Sequence, residues 1–174
     1  MPKIIKNVKG QLVAEARRQV MEIGYSAMTV RSVAQACHIA TGTVYNYFSS
    51  KDMLVATFML EDWGACLDGV RRRAMADSSF KNVLGAVYRG LNTFISEHEK
   101  LFCDADAFKV YSAVYGDKHA FFRSQIASVV LLAIRENDEK KRDFLSEFIA
   151  EALLTWTLAG KSFDEIYAVL QKLL

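Results

Sequence analysis

Thr41, Gly42, Thr43, Asn46 and Tyr47 surround the apolar pair Val44 and Phe48 in one short stretch. At 3.6 residues per turn Val44 and Phe48 share one side of a helix, which leaves the hydroxyls, the amide and the phenol on the other. Such a face can hydrogen-bond base edges in a DNA groove. Gly42 lets the helix backbone come close to a ligand. Catalytic patterns are missing by comparison. No nucleophile elbow, phosphate loop or dinucleotide fingerprint occurs, so no catalytic residue and no cofactor is expected. His38, His98 and His119 show no metal-ligand spacing. His98 and Cys103, with Glu97 and Glu99 beside them, read as an exposed helix end rather than a metal site.

A reading face needs rigid elements behind it. Leu12, Ala16, Val20 and Ile23 form one apolar stripe and predict a supporting helix over Val8–Ile23, which Gly24 ends. Thr29 is placed to cap a second helix, Val30–Cys37, with Val30, Val33, Ala34 and Cys37 inward. A break at His38–Ala40 leads to a third segment, Thr41–Phe48. Two short helices joined by a tight turn after a longer one make a helix-turn-helix, whose second helix enters the major groove. Ser49 and Ser50 then cap a long helix opening at Lys51, with Leu54, Phe58 and Trp63 inward.

The run Gly24-Tyr25, Met28-Thr29-Val30, Val33-Ala34, Ile39-Ala40-Thr41-Gly42-Thr43-Val44-Tyr45-Asn46-Tyr47-Phe48 and Ser50-Lys51-Asp52-Met53-Leu54 resembles the DNA-binding domain of the tetracycline-repressor (TetR) family. The resemblance covers about residues 9–54. It implies that Thr29 caps the second helix near a phosphate and that Arg31 points into the major groove, where arginine bonds guanine. It assigns base reading to Thr41, Gly42, Thr43 and Asn46, and phosphate contact to Tyr45, Tyr47 and Lys51. Tyr45 also fits a place in the core. The sequence departs from the family pattern twice, with His38 where a turn glycine is favoured and Ala40 where a serine cap is. With Ala40 unable to cap, Thr41 could take that place and shift the helix start by one.

The rest of the chain reads as helical too: a run after Asp77-Ser78-Ser79 to about Lys100 with Val83, Val87, Leu91 and Phe94 on one face, then Asp104–Tyr115, Lys118–Arg135, a run to Gly160, and a last helix capped by Ser162. The expected fold is all-α, of about nine helices, with a DNA-binding domain over 1–52 and a ligand-binding and dimerisation domain over 53–174. The resemblance implies a homodimer on palindromic double-stranded DNA, formed by the last two long helices, about Lys140–Ala159 and Ser162–Leu174. Phe144, Phe148, Ala152, Trp156, Phe163, Tyr167 and Leu170 are the residues expected there. It also implies a small apolar effector among Met59, Trp63, Cys66, Tyr88, Phe108, Tyr111, Tyr115 and Phe122, positions that fit plain core as well. The expected function is a sequence-specific transcriptional regulator, a repressor released by its effector. The alternative is a helical ligand-binding or adaptor protein whose motif no longer binds DNA, for which His38 and Ala40 speak.

Composition agrees with a packed helical protein. Of 174 residues, 52% are hydrophobic and one is proline, which excludes disorder and the turn-rich sandwiches. The net charge of +2 divides unevenly. Residues 1–54 hold seven Lys/Arg against three acids, and the remainder fifteen against seventeen. A basic head on an acidic body is the electrostatic pattern of a nucleic-acid binder. Arg71-Arg72-Arg73 reads as a solvated helix face or a salt-bridge partner. The longest apolar run, Ala127–Ile134, is too short to span a membrane, and no apolar stretch follows the N-terminal lysines. Three scattered cysteines fit free thiols, and the expected location is the cytoplasm.

Overall fold

The computed structural model describes residues 7–104 and 118–173. Most helices begin where a side chain can accept from the free N–H groups of a first turn. In α1 (Val8–Ile23) Asn7 Oδ1 accepts from the Gly10 N–H at 3.2 Å. In α2 (Val30–Ala36) Thr29 and Ser32 form a capping box. Short α3 (Thr41–Tyr45) follows, and α4 (Lys51–Ala76) starts with Ser50 Oγ accepting from the Met53 N–H at 3.1 Å. α5 (Phe80–Glu97) and α6 (Glu99–Phe102) come next, then α7 (Lys118–Val130), which tightens into a 3₁₀ turn at Leu131–Ala133. Asp138 caps α8 (Glu139–Leu158), and Ser162 with Glu165 forms a second capping box at α9 (Phe163–Leu170). Among the described residues there are nine α-helices and no strand.

Several expected boundaries move. The Lys118–Arg135 helix stops as an α-helix at Val130, and the run towards Lys100 breaks at His98 to give α5 and α6. The third segment is regular only to Tyr45, with Asn46 and Tyr47 continuing as a turn. Of the helix expected over Asp104–Tyr115, Asp104 is not helical and the other positions lie outside the described residues. Ile23 is in phase with the α1 stripe yet 55% exposed. It is the last helical residue, and Gly24 at φ 87° turns the chain away.

The chain forms two compact units, one of Met1–Asp62 with His98–Gly116 and one of Trp63–Glu97 with Asp117–Leu174. The first therefore extends past residue 52 into α4 and gathers a later segment. Its core is Leu12, Val13, Ala16 and Val20 of α1, Val33 and Ala34 of α2, Val44 of α3, Phe48, and Leu54 and Phe58 of α4, with Met28 and Leu101.

In the second unit α7 packs on α8, and α5 meets α7, α8 and α9. Its core includes Leu84, Val87, Leu91, Ile126, Val130, Ile149, Leu153 and Ile166. α4 and α5 approach closely at Gly90, where a Cβ would lie only 2.4 Å from Val70 Cγ2. No described helix is long and apolar enough to cross a membrane.

Candidate nucleic-acid interface

The turn between α2 and α3 is built by backbone bonds. The His38 N–H donates to Gln35 O at 3.1 Å and the Ile39 N–H to Ala34 O at 3.0 Å. This pair of bonds is a Schellman ending, which needs a left-handed residue between its two arms. His38 supplies it at φ 56°. The departure from glycine therefore leaves the turn intact, at the cost of left-handed strain. Ala40 is the N-cap of α3 without a side-chain bond, and the helix starts at Thr41, so Thr41 is not the cap.

α2 is fixed to α1 by a polar chain. Thr29 Oγ1 accepts from the Ser32 N–H at 2.9 Å, and Ser32 Oγ lies 2.6 Å from Gln19 Oε1. Gln19, only 6% exposed, donates to Glu15 Oε1 at 2.8 Å. Glu15 also pairs with Arg18 at 2.6 Å, which holds its carboxyl below the usual range. Sequence reasoning missed Gln19 and Ser32. The available signal was a polar residue in phase with the α1 stripe, which must find a partner once buried.

α3 presents the expected two faces. Val44 and Phe48 are buried, while Gly42, Tyr45, Asn46 and Tyr47 are exposed and Thr41 and Thr43 half-exposed. Tyr45 is 53% exposed, so it belongs to the surface and not to the core. A Cβ at Gly42 would meet nothing within 4 Å, so packing does not require glycine there. Arg31 and Thr29 of the preceding motif helix are exposed as well. No acidic residue lies between Gly24 and Lys51.

Lys51 is half-buried and its Nζ sits 3.9 Å from the centre of the Tyr25 ring. The Tyr25 hydroxyl in turn bonds Asp52. Tyr25 is a third residue to which the sequence reading gave no role. It orients the start of α4, where Lys51 provides a cation beside α3. The face thus offers uncharged donors and acceptors with Arg31 and Lys51 as positive charges. That combination can bond base edges and phosphates together.

The other expected sites separate. Met59 lies in the first unit, and Trp63, Cys66, Tyr88 and Phe122 lie in the second. Trp63 meets Phe94 and Phe122 edge-on at 5.3 and 4.8 Å and donates to Gln125 Oε1 at 2.6 Å. Cys66 Sγ is 3.3 Å from Gly90 O, and burial pushes its thiol up. The Tyr88 hydroxyl donates to Lys161 O at 3.1 Å. Phe108, Tyr111 and Tyr115 lie outside the described residues. A cleft of about 400 Å³ in the second unit is lined by Ser78, Phe80, Arg135, Lys141 and Leu145 among others, none of them expected effector residues.

Of the expected dimer residues, Phe144 and Phe148 are exposed and stack at 6.4 Å. Trp156, Phe163 and Tyr167 are half-buried, whereas Ala152 and Leu170 are buried within their own unit. Arg71 pairs with Asp68 of its own helix at 3.7 Å, and Arg72 and Arg73 are exposed. His98, expected at an exposed helix end, is 2% exposed with Nε2 3.0 Å from Asp62 Oδ2. Among the described residues no group of three or more His, Cys, Asp or Glu could hold a metal. Cys37, Cys66 and Cys103 are free.

Comparison with known proteins agrees with this geometry. The chain is 38% identical over 93 residues to the HTH-type transcriptional regulator BetI of Burkholderia mallei, an alignment covering half of this chain and 46% of that protein. It thus spans about half the length of the curated relatives it matches. Over almost its full length the fold is similar to two solved structures. One is the fatty acid degradation regulator FadR of Bacillus halodurans, with TM-score 0.52, 17% identity and coverage of 97% and 96% of the two chains. The other is the superantigen PfiT, with TM-score 0.52, 18% identity and 96% of each chain covered. At such identities these likenesses concern the fold alone. Residues 12–57 match the bacterial regulatory proteins of the tetR family, from Leu12 of the α1 stripe through the α2–α3 turn to Thr57 in α4. Residues 12–57 thus form a helix-turn-helix of the tetR-family type.

Proposed function

We propose that the chain is a sequence-specific DNA-binding transcriptional regulator that places α3 in the major groove of a palindromic operator. The carrying observation is the outer face of α3. Thr41, Thr43, Asn46 and Tyr47 stand over a buried Val44 and Phe48, beside Arg31 and Lys51, on a stretch without acids. Thr, Asn and Tyr on a short helix add little to its stability, and a base edge gives them hydrogen-bond partners.

A homodimer supplies the second reading head. Phe144 is 69% exposed and stacks on exposed Phe148, with Leu158, Val169 and Leu173 also exposed on α8 and the C-terminal segment. Large apolar side chains exposed on neighbouring helices favour burial against a partner. Two-fold symmetry then sets the α3 helices on half-sites about 34–36 Å apart or a multiple. The regulator acts in the cytoplasm as a repressor released by a small apolar effector. The aromatic residues around Trp63 in the second unit support an apolar class.

The test is selection of duplexes from a random-sequence pool by the purified chain, followed by sequencing. A palindrome is expected, with binding that weakens steeply as salt rises because phosphate contacts release counterions. Arg31→Ala with Tyr47→Ala should abolish the selection while the circular-dichroism melt is retained. Equal recovery of all sequences, or a flat salt dependence, refutes the proposal.

A further inference from the structure

One short segment grips the reading head at three points. Lys100 of α6 donates from Nζ to Met21 O at 2.7 Å and Glu22 O at 3.1 Å. Carbonyls of the last turn lack intrahelical partners, and a cation there also opposes the negative end of the helix dipole. α1 has no basic residue of its own in its last turn. Lys100 provides that charge from a distant part of the chain. Asp104 Oδ2 accepts from both the N–H and the hydroxyl of Ser26, at 3.2 and 2.8 Å, in the loop between α1 and α2.

His98 makes the third contact through Asp62. The Asp62 carboxylate lies 3.0 Å from His98 Nε2 and binds Arg17 of α1 at 2.7 and 3.1 Å. Phe58 is near both His98 and Arg17. His98 stacks on its ring at 6.5 Å, and the Arg17 guanidinium stands 5.7 Å from the ring centre. Leu101 anchors the segment in the core. α1 is thus held at its middle, at its last turn and in the loop that follows. The Gln19–Ser32 link carries that placement on to the α2 cap.

We infer that His98, Lys100 and Asp104 are positioning residues for DNA reading, fixing α1 and the α1–α2 loop so that α2 and α3 meet the duplex in one orientation. This rests on the DNA-binding function proposed above. The three residues lie far beyond the family-matched residues 12–57. Sequence-specific bonds require orientation, while attraction of phosphates to Arg31 and Lys51 tolerates its loss. Loosening the head therefore lowers specific affinity and leaves non-specific affinity in place.

The experiment compares Lys100→Met, Ser26→Ala and their combination with Lys100→Arg as the rescuing variant. Binding is measured by fluorescence anisotropy on a duplex selected by the wild-type chain and on a scrambled duplex. Each single change should weaken binding of the selected duplex by about tenfold, the effect of one charge-assisted hydrogen bond, since Ser26→Ala removes the hydroxyl bond to Asp104 and keeps the backbone N–H bond. The double change should weaken it further, and Lys100→Arg should restore most of the loss. Affinity for the scrambled duplex and the salt slope should stay constant. Hydrogen exchange should quicken at Tyr25–Met28 and the end of α1. Unchanged discrimination overturns the inference, as does a smaller salt slope, which would make Lys100 a phosphate ligand. A wild-type chain that selects no duplex is the separate failure of the DNA-binding proposal, and exchange in the same variants still reports whether these contacts hold α1.

Discussion

Replacing Gly42 with alanine separates the fold of α3 from its use. A Cβ at this position meets no atom within 4 Å, so the methyl group fits the free protein without displacement. Alanine is the better helix former by up to about 1 kcal/mol, and the effect is smaller in the first turn of a five-residue helix. Gly42→Ala should therefore leave the protein equally stable or more stable, by at most about 1 kcal/mol. On DNA the methyl stands between the α3 backbone and the groove. Without that close approach the bonds proposed for Thr41, Thr43 and Asn46 to the bases should weaken, each of which discriminates by about 1–3 kcal/mol when well made. Removing one such bond makes binding roughly ten- to hundredfold weaker. Gly64 is the control, since a Cβ there also meets nothing and the residue lies in α4, outside the matched stretch. Urea melts followed by circular dichroism measure stability, and anisotropy titration of a selected duplex measures binding. Gly64→Ala should bind like the wild type. Undiminished binding by Gly42→Ala refutes the close approach, and a marked loss of stability refutes the open space around Gly42.

His38→Gly removes a left-handed strain of about 1–2 kcal/mol and adds about 0.4–1 kcal/mol of unfolded-chain entropy, so stability should rise by about 0.5–1 kcal/mol in urea melts. Gly90→Ala should cost about 1–3 kcal/mol, because Val70 is β-branched on a helix and cannot swing away from a Cβ 2.4 Å distant; Val70→Ala in the same chain should recover part of the loss. Acid should destabilise the fold in a defined window. Arg18 lowers Glu15, the Ser79 N–H and hydroxyl lower Asp77, Lys141 lowers Glu136 and the Ser162 N–H lowers Glu165, so the stability these carboxylates give is complete above their ordinary values of 3.8 to 4.5 and is lost as pH falls through the lowered ones. The melting temperature should hold from pH 7 to about 5 and then drop, with Glu165→Gln shallowing the drop.

Much of the reading face was legible because its information is local. Val44 and Phe48 are four residues apart, so one helical period separates buried from exposed positions around Gly42. Thr29 and Ser162 announce helix starts because a cap acts within three residues of itself. The left-handed turn was legible as a requirement at position 38, and the backbone bonds of the Schellman ending show how histidine meets it. Tyr45 remained open between core and surface because helical phase alone does not say how far the packing extends. The same limit explains Ile23, in phase with its stripe but exposed where the helix ends.

The sequence by itself determined most of the described helices, the two-faced α3 and the basic head. Each of these depends on neighbours within a turn or two of the chain, or on a count of charges. Tertiary structure alone decided that His98 is buried on Asp62, that Lys100 caps α1, and that Asp104 holds Ser26. These bonds join residues 36 to 79 positions apart. A single polar residue leaves no periodic trace of a distant partner, so only the folded chain brings such a pair together.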